Sequence, residues 1–296
     1  MSPSSLDAAM ISALTAQEWR DLLWLAEGPD LMELTPPCPL VPLSPEPVVS
    51  QRESSDASST HRVGAYVERL VRCWLELTPG VTAIGQGILL SEGKRTMGEL
   101  DFLFTHQGSR HHLEVALKFY LHHPHPAGPS LADMSHFPGP NATDNFEKKR
   151  DRLVTHQLPL GRANFPEIET SHALVKGTVF YRPGEEPPAL LPAAMNPAHR
   201  RGIWIRADEI SRLVEEPWAR NSRGIIMTKP RWLSGWSSVG AEAAKPIAEL
   251  HRTLQVHFAD SRTTDRPVLL SLAHEGATQE SARVFVVPAH WPARPG

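Results

Sequence analysis

"GELDFLFTHQGSRHHLEVALKFYL", residues 98–121, sets two apolar runs on either side of the polar segment THQGSR. Each run alternates in the manner of a β-strand, and Asp101, Glu114 and Lys118 interrupt the apolar pattern. Charged side chains are rarely buried unless they are paired or bind a metal. Side chains alternate along a strand, so Glu99, Asp101 and Leu103 share one face of the first run, and Glu114, Ala116, Lys118 and Tyr120 share one face of the second. A two-residue turn at Gln107-Gly108, or a four-residue loop from His106 to Ser109, puts Asp101 directly opposite Glu114; an odd loop separates them. Opposed like charges repel unless a cation lies between them. Two carboxylates with Cβ atoms ~5 Å apart suit a hard divalent ion, and Mg²⁺ takes one or two protein carboxylates and fills its octahedron with water and phosphate oxygens. Lys118 would then supply positive charge to an attacking water or to a phosphorane-like transition state. The plainer alternative is the solvated face of an antiparallel hairpin with a Glu-Lys pair.

The segments around the hairpin set its context. Upstream, "TAIGQGILL" near 82–90 reads as a further strand, separated from the hairpin by the turn-rich SEGKRTMG. Before it, Val63, Tyr66, Val67, Leu70, Val71, Trp74 and Leu77 recur at helical spacing up to the TPG stop at 78–80. Downstream, "NFEKKRDRLVTHQL" reads as a helix and "HALVKGTVFYR" at 172–182 as a strand. The order from residue 61 is therefore α-β-β-β-α-β, which predicts an α/β fold with a mixed sheet flanked by helices. A strand-helix pair in "GIWIRADEISRLVEE" and strands near "RPVLLSL" and "ARVFVV" follow.

Four segments result. Residues 1–34 form an N-terminal helical segment, in which Thr15 and Glu18 open a capping box and Gly28-Pro29 stops the helix. Residues 35–60, rich in Pro and Ser, read as a poorly ordered linker or surface loop. Residues 61–216 make the core, and 217–296 an α/β extension.

Composition narrows the class without choosing the function. The chain of 296 residues is 41% hydrophobic and 21% charged, as a soluble globular protein is. No apolar run approaches the ~18 residues of a membrane span, and the N-terminus has neither a basic nor an apolar leader region. The two cysteines, Cys38 and Cys73, form neither a disulfide framework nor a zinc quartet, so a reducing cytoplasm is expected. A net charge of -3 exerts no global pull on nucleic acid, and any such binding needs a local basic patch.

With these elements in place, the segment resembles the PD-(D/E)XK nuclease superfamily, whose restriction-endonuclease-like α-β-β-β-α-β core carries an Asp on one strand and an acid followed shortly by Lys on the next. The phrases "RDLLWL…PDL", "GELDFLF", "LEVALKFYL" and "HQLPLGR" look like a bacterial family of unknown function assigned to that superfamily. The resemblance implies a Mg²⁺-dependent nuclease, with Mn²⁺ as a substitute ion. It makes Asp101 and Glu114 the metal carboxylates and Lys118 the nearest match to the catalytic lysine. The superfamily lysine usually follows the second acid by two residues, where this chain has Ala116. Lys118 is one pleat further on, ~6.6 Å along the strand. The alternative is a nuclease-like fold without turnover that serves as a nucleic-acid-binding or protein-interaction module.

Further residues extend the reading. Glu68, on the helix before the sheet, is an extra ligand or belongs to a solvated helix flank. Gln157 contacts metal-bound water or the phosphate backbone, or is a polar residue near a helix end. The basic run Lys148, Lys149, Arg150 and Arg152 suits phosphate contact, DNA ahead of RNA, or an exposed helix face. At 3.6 residues per turn Lys148, Arg152 and His156 fall on one stripe, and Phe146, Lys149, Leu153 and Gln157 on the next. The His-rich "LHHPHP" at 121–126 lacks a paired ligand set for zinc, and Trp204, Trp232 and Trp236 read as packing residues.

Overall fold

Thr15 starts the first helix as its sequence predicts. In the computed structural model, which describes residues 14–43, 62–124, 134–230, 232–236 and 244–293, the Thr15 hydroxyl accepts from the Glu18 amide and the Glu18 carboxylate accepts from the Thr15 amide. This capping box opens α1 (Ala16–Glu27), which Gly28 ends. Helix α2 (Val63–Leu77) buries Tyr66, Val67, Leu70, Val71, Trp74 and Leu75. The Tyr66 hydroxyl donates to the buried Asp21 carboxylate at 2.6 Å and ties the two helices.

Of the expected 35–60 linker, residues 44–60 lie outside the described residues. The part before them is anchored. The Trp74 indole donates to the Val41 carbonyl at 2.8 Å, the Val41 amide to the Thr78 hydroxyl at 3.2 Å, and the Ala173 amide to the Thr35 hydroxyl at 3.0 Å.

Strands β1 (Val81–Glu92) and β2 (Arg95–His106) form a long hairpin, and β3 (Ser109–Leu121) follows β2. The turn-rich reading of SEGKRTMG is corrected: Glu92 pairs with Arg95 and Ser91 with Thr96 around a tight turn at Gly93, so most of that stretch is strand. Gly93 adopts the positive φ of 60° that such a turn requires. Helix α3 (Phe146–Arg152), a π turn (Leu153–Gln157) and helix α4 (Leu158–Asn164) precede β4 (Ile168–Tyr181). Beyond β4 come β5 (Arg200–Arg206), the short helix α5 (Arg212–Glu215), β6 (Ser222–Met227), β7 (Lys245–Pro246), α6 (Ile247–Ala259), β8 (Val268–His274) and β9 (Ala282–Val287).

The strands form one mixed nine-stranded sheet in the order β1-β2-β3-β4-β5-β9-β8-β6-β7, and the fold is α/β with a sheet flanked by helices. The element order from residue 63 to 181 is α-β-β-β-α-β, with the π turn dividing the second helix. Two strands of the expected C-terminal extension, β8 and β9, enter the sheet through β5, which pairs with β9 in parallel. Helix α6 and strands β6 and β7 are additions to the sequence reading.

The chain divides into two compact units, and the division falls inside β3 and β4. The first contains residues up to Leu117 together with Arg150–Lys176; the second contains Lys118–Lys149 and everything from Gly177. In the second, Leu250 and Leu254 of α6 pack on Ile205, Leu270, Leu272, Val284 and Val286. An aromatic cluster also belongs to it, with Phe180 and Phe285 centroids 4.9 Å apart and Phe119 and Trp232 against them.

Candidate active site in the first unit

Gln107 and Gly108 both have positive φ, 50° and 90°, as a two-residue turn that matches the twist of a hairpin demands. His106 therefore pairs with Ser109, and the register runs down to Phe102 opposite Leu113. Asp101 and Glu114 are the next residues along each strand. This even register is one of the two that place them on a common face. Regular pairing stops there, because the Val115 amide donates to the Asp101 carboxylate at 2.8 Å. The bond satisfies the amide and holds the Asp101 side chain against β3.

Glu114 is 1% exposed. Both of its oxygens are engaged: Oε1 lies 2.9 Å from Nε2 of His112, and Oε2 accepts from the Gln157 side chain. Gln157 reaches Glu114 from the π turn. There the Leu158 amide bonds to the Leu153 carbonyl, five residues back, and the wider turn shifts every later side chain around the helix. The stripes drawn at 3.6 residues per turn are therefore corrected beyond Arg152. Pro159 offers a physical reason, since it has no N–H to close the preceding turn and its ring crowds the carbonyl four residues back.

Glu68, on α2, joins the same region. Burial raises its carboxyl pKa, and the negative charges of Glu99 and Glu114 raise it further, while a hydrogen bond from the Gln86 side chain opposes them. Glu99 lies close over the β1 backbone: a Cβ added at Gly87 would come 3.1 Å from its Oε1. Of the residues singled out in the sequence, the structure gathers Asp101, Glu114, Glu68 and Gln157 in the first unit. It adds Gln86 and His112, which the sequence reading passed over, and Glu99, which that reading placed on the Asp101 face without a role. The β1-β2 pairing carries the signal for Gln86 and Glu99, and it was hidden by reading SEGKRTMG as a loop.

The remaining candidates are placed differently. Lys118 and Asp144, both in the second unit, form an ion pair at 2.6 Å. Lys148 is exposed and Lys149 half-buried in that unit, whereas Arg152 is exposed in the first. The Lys148 amide donates to the Asn145 side chain, which caps α3.

The arrangement concentrates negative charge where the strand faces meet α2. Such a site repels a phosphate unless a cation intervenes. Among the described residues, no three His, Cys, Asp or Glu side chains form a ready ligand set for a metal ion. The mutual repulsion felt at Glu68 is nevertheless the condition that a bound divalent cation relieves.

A family model described as "Domain of unknown function (DUF1853)" matches residues 20–287. The chain belongs to this family. The match covers α1 from Arg20 on, the hairpin, the π turn and the strands through β9, so every residue of the candidate site lies inside the family domain. No curated protein and no solved structure matches the chain. Among the described residues no helix is long and apolar enough to cross a membrane.

Proposed function

We propose that this protein is a Mg²⁺-dependent phosphodiesterase acting on nucleic acid, DNA ahead of RNA, within the PD-(D/E)XK superfamily, and that it works in the cytoplasm. The observation that carries the reading is the even hairpin register that sets Asp101 and Glu114 side by side on β2 and β3, with Glu114 nearly inaccessible to bulk water and Glu68 within electrostatic reach of Glu99 and Glu114. A binder of polyanions gains nothing from such a cluster, whereas a divalent ion gains a hard oxygen environment.

In this reading Asp101 and Glu114 hold the ion, with Glu68 or Glu99 as a third oxygen donor, and the ion when bound polarises the phosphoryl group and acidifies water. Glu114 is kept in one orientation by the donors on its two oxygens. Arg152, exposed in the same unit, contacts phosphate.

A second reading has its own observation. Lys118 is already neutralised by Asp144, which suits a nuclease-like fold that binds nucleic acid or a protein partner without turnover. The two separate on one series of measurements. Mg²⁺ or Mn²⁺ should raise the melting temperature of the wild type and leave Asp101→Asn unmoved, and labelled single- and double-stranded DNA should be cleaved only when the metal is present. A melting temperature that ignores both metals overturns the enzyme reading; a metal-dependent rise without cleavage favours the second.

A further inference from the structure

His112 is fully buried, and its two ring nitrogens are treated differently. Nε2 lies 2.9 Å from Glu114 Oε1. Nδ1 is buried and meets no hydrogen-bond partner among the described residues. A buried N–H left without an acceptor is rarer and costlier than a bare lone pair, and a carboxylate oxygen can only accept. The proton therefore belongs on Nε2.

The space beside Nδ1 is made by Gly161. A Cβ there would come 2.5 Å from Nδ1, 3.0 Å from Cγ and 3.1 Å from Cε1 of His112, and a fully buried ring has no open space into which to withdraw. Gly161 follows Gln157 by four residues on the same helical segment, and Gln157 donates to the other oxygen of Glu114. One segment thus supplies a donor to Oε2 and the room for the ring that donates to Oε1.

We propose that His112 is a positioning residue for Glu114: a neutral imidazole that donates through Nε2–H, seated by Gly161, and that fixes the carboxylate plane presented to a divalent ion. The proposal rests on the reading of Glu114 as a metal carboxylate. Groups that orient a metal ligand from behind typically change affinity 10- to 100-fold when removed.

The tautomer is read without metal. In the ¹⁵N–¹H correlation spectrum of the wild-type imidazoles, His112 should show a protonated Nε2 and a bare Nδ1; a proton on Nδ1 overturns the proposal whatever the metal does. The functional arm is the Mn²⁺ dissociation constant of the full chain, by titration calorimetry and by the electron-paramagnetic-resonance signal of free Mn²⁺. His112→Leu should weaken binding about 10- to 100-fold. His112→Gln, whose amide nitrogen can occupy the Nε2 position, should recover most of it. Gly161→Ala should weaken binding in the same direction by displacing the ring, and serves where His112→Leu does not fold. Wild-type protein that ignores Mn²⁺ overturns the metal reading itself. Wild-type protein that binds Mn²⁺ as tightly as folded His112→Leu or Gly161→Ala overturns only the role given to His112.

Discussion

The Lys118 ammonium and the Asp144 carboxylate form an ion pair at 2.6 Å, each about a third exposed, and the other Asp144 oxygen accepts from the Asn145 amide. Pairs this exposed contribute at most about 1 kcal/mol to stability. Asp144→Asn should therefore lower the unfolding free energy measured in urea by no more than that amount. If Lys118 serves phosphoryl transfer, Lys118→Met should abolish cleavage, while Asp144→Asn should retain it with an altered kcat. Equal, small stability losses in both variants with unchanged kcat would make the pair structural.

That pairing also marks a limit of what could be read in the sequence. The hairpin was legible, because Gln107-Gly108 supplies the positive φ values that a two-residue turn needs and the even register follows from it. Asp101, Glu114 and Glu68 are brought into one unit by that register and by the helical pattern of α2, both of which are periodic signals, whereas Gln157 joins them from the π turn. Asp144 was not legible, since the sequence between it and Lys118 carries no apolar periodicity. The π turn was hidden as well: a spacing argument assumes 3.6 residues per turn, and only Pro159 hinted that the hydrogen-bond ladder would break. His112 escaped notice because alternation alone cannot show that a strand histidine has a carboxylate two residues on as its partner.

Glu68 offers a test of the carboxylate cluster through stability. Its folded pKa lies above the ordinary carboxylate value, through burial first and then Glu99 and Glu114. The native state therefore holds this proton more tightly than the unfolded chain does, and stability falls as pH rises from the ordinary value through the raised one. Glu68→Gln removes a group that is costly when ionised. The variant should be more stable than wild type at pH 7–8, and the advantage should vanish below about pH 4, where both states are protonated. Saturating Mg²⁺ should shrink the gain at pH 7–8 by stabilising the wild type. A variant less stable than wild type at pH 7.5 would show that repulsion is not what Glu68 experiences.

Gly177 allows no side chain. Its φ is +154°, and an added Cβ would stand 1.7 Å from the Lys118 carbonyl oxygen, a backbone atom that cannot rotate away. Gly177→Ala must push apart backbone of β3 and β4 in the second unit, and should cost about 3 kcal/mol or more. Gly276→Ala provides the control. Gly276 has a φ of +81° with nothing within 4 Å, so alanine there meets conformational strain alone and should cost about 1–2 kcal/mol. Chemical denaturation of the two variants side by side separates collision from strain, and equal losses would contradict the close approach at Gly177.

The His111-His172 pair in the first unit should make stability depend on pH near neutrality. His172 Nδ1 lies 3.0 Å from the Pro36 carbonyl oxygen, which can only accept, so Nδ1 carries a proton. In the neutral ring Nε2 is then an acceptor, and it receives the Nδ1–H of His111 at 3.0 Å. A second proton on His172 would set N–H against N–H. Burial lowers the pKa of both rings; at His111 the neighbouring His172 and His106 lower it further, while Glu169 opposes them, and at His172 the Pro36 bond opposes a further lowering by His112. Because the folded pKa values lie below the unfolded one, the unfolded chain binds more protons as pH drops through the ordinary imidazole range of about 6.5. Stability should accordingly decline from pH 7 toward pH 5. His172→Asn can keep a donor to Pro36 but does not titrate, and should flatten that decline while costing about 1–2 kcal/mol at pH 7. Urea unfolding at three pH values measures both effects, and a wild-type profile as flat as that of the variant would show that the pair is not what senses the acid.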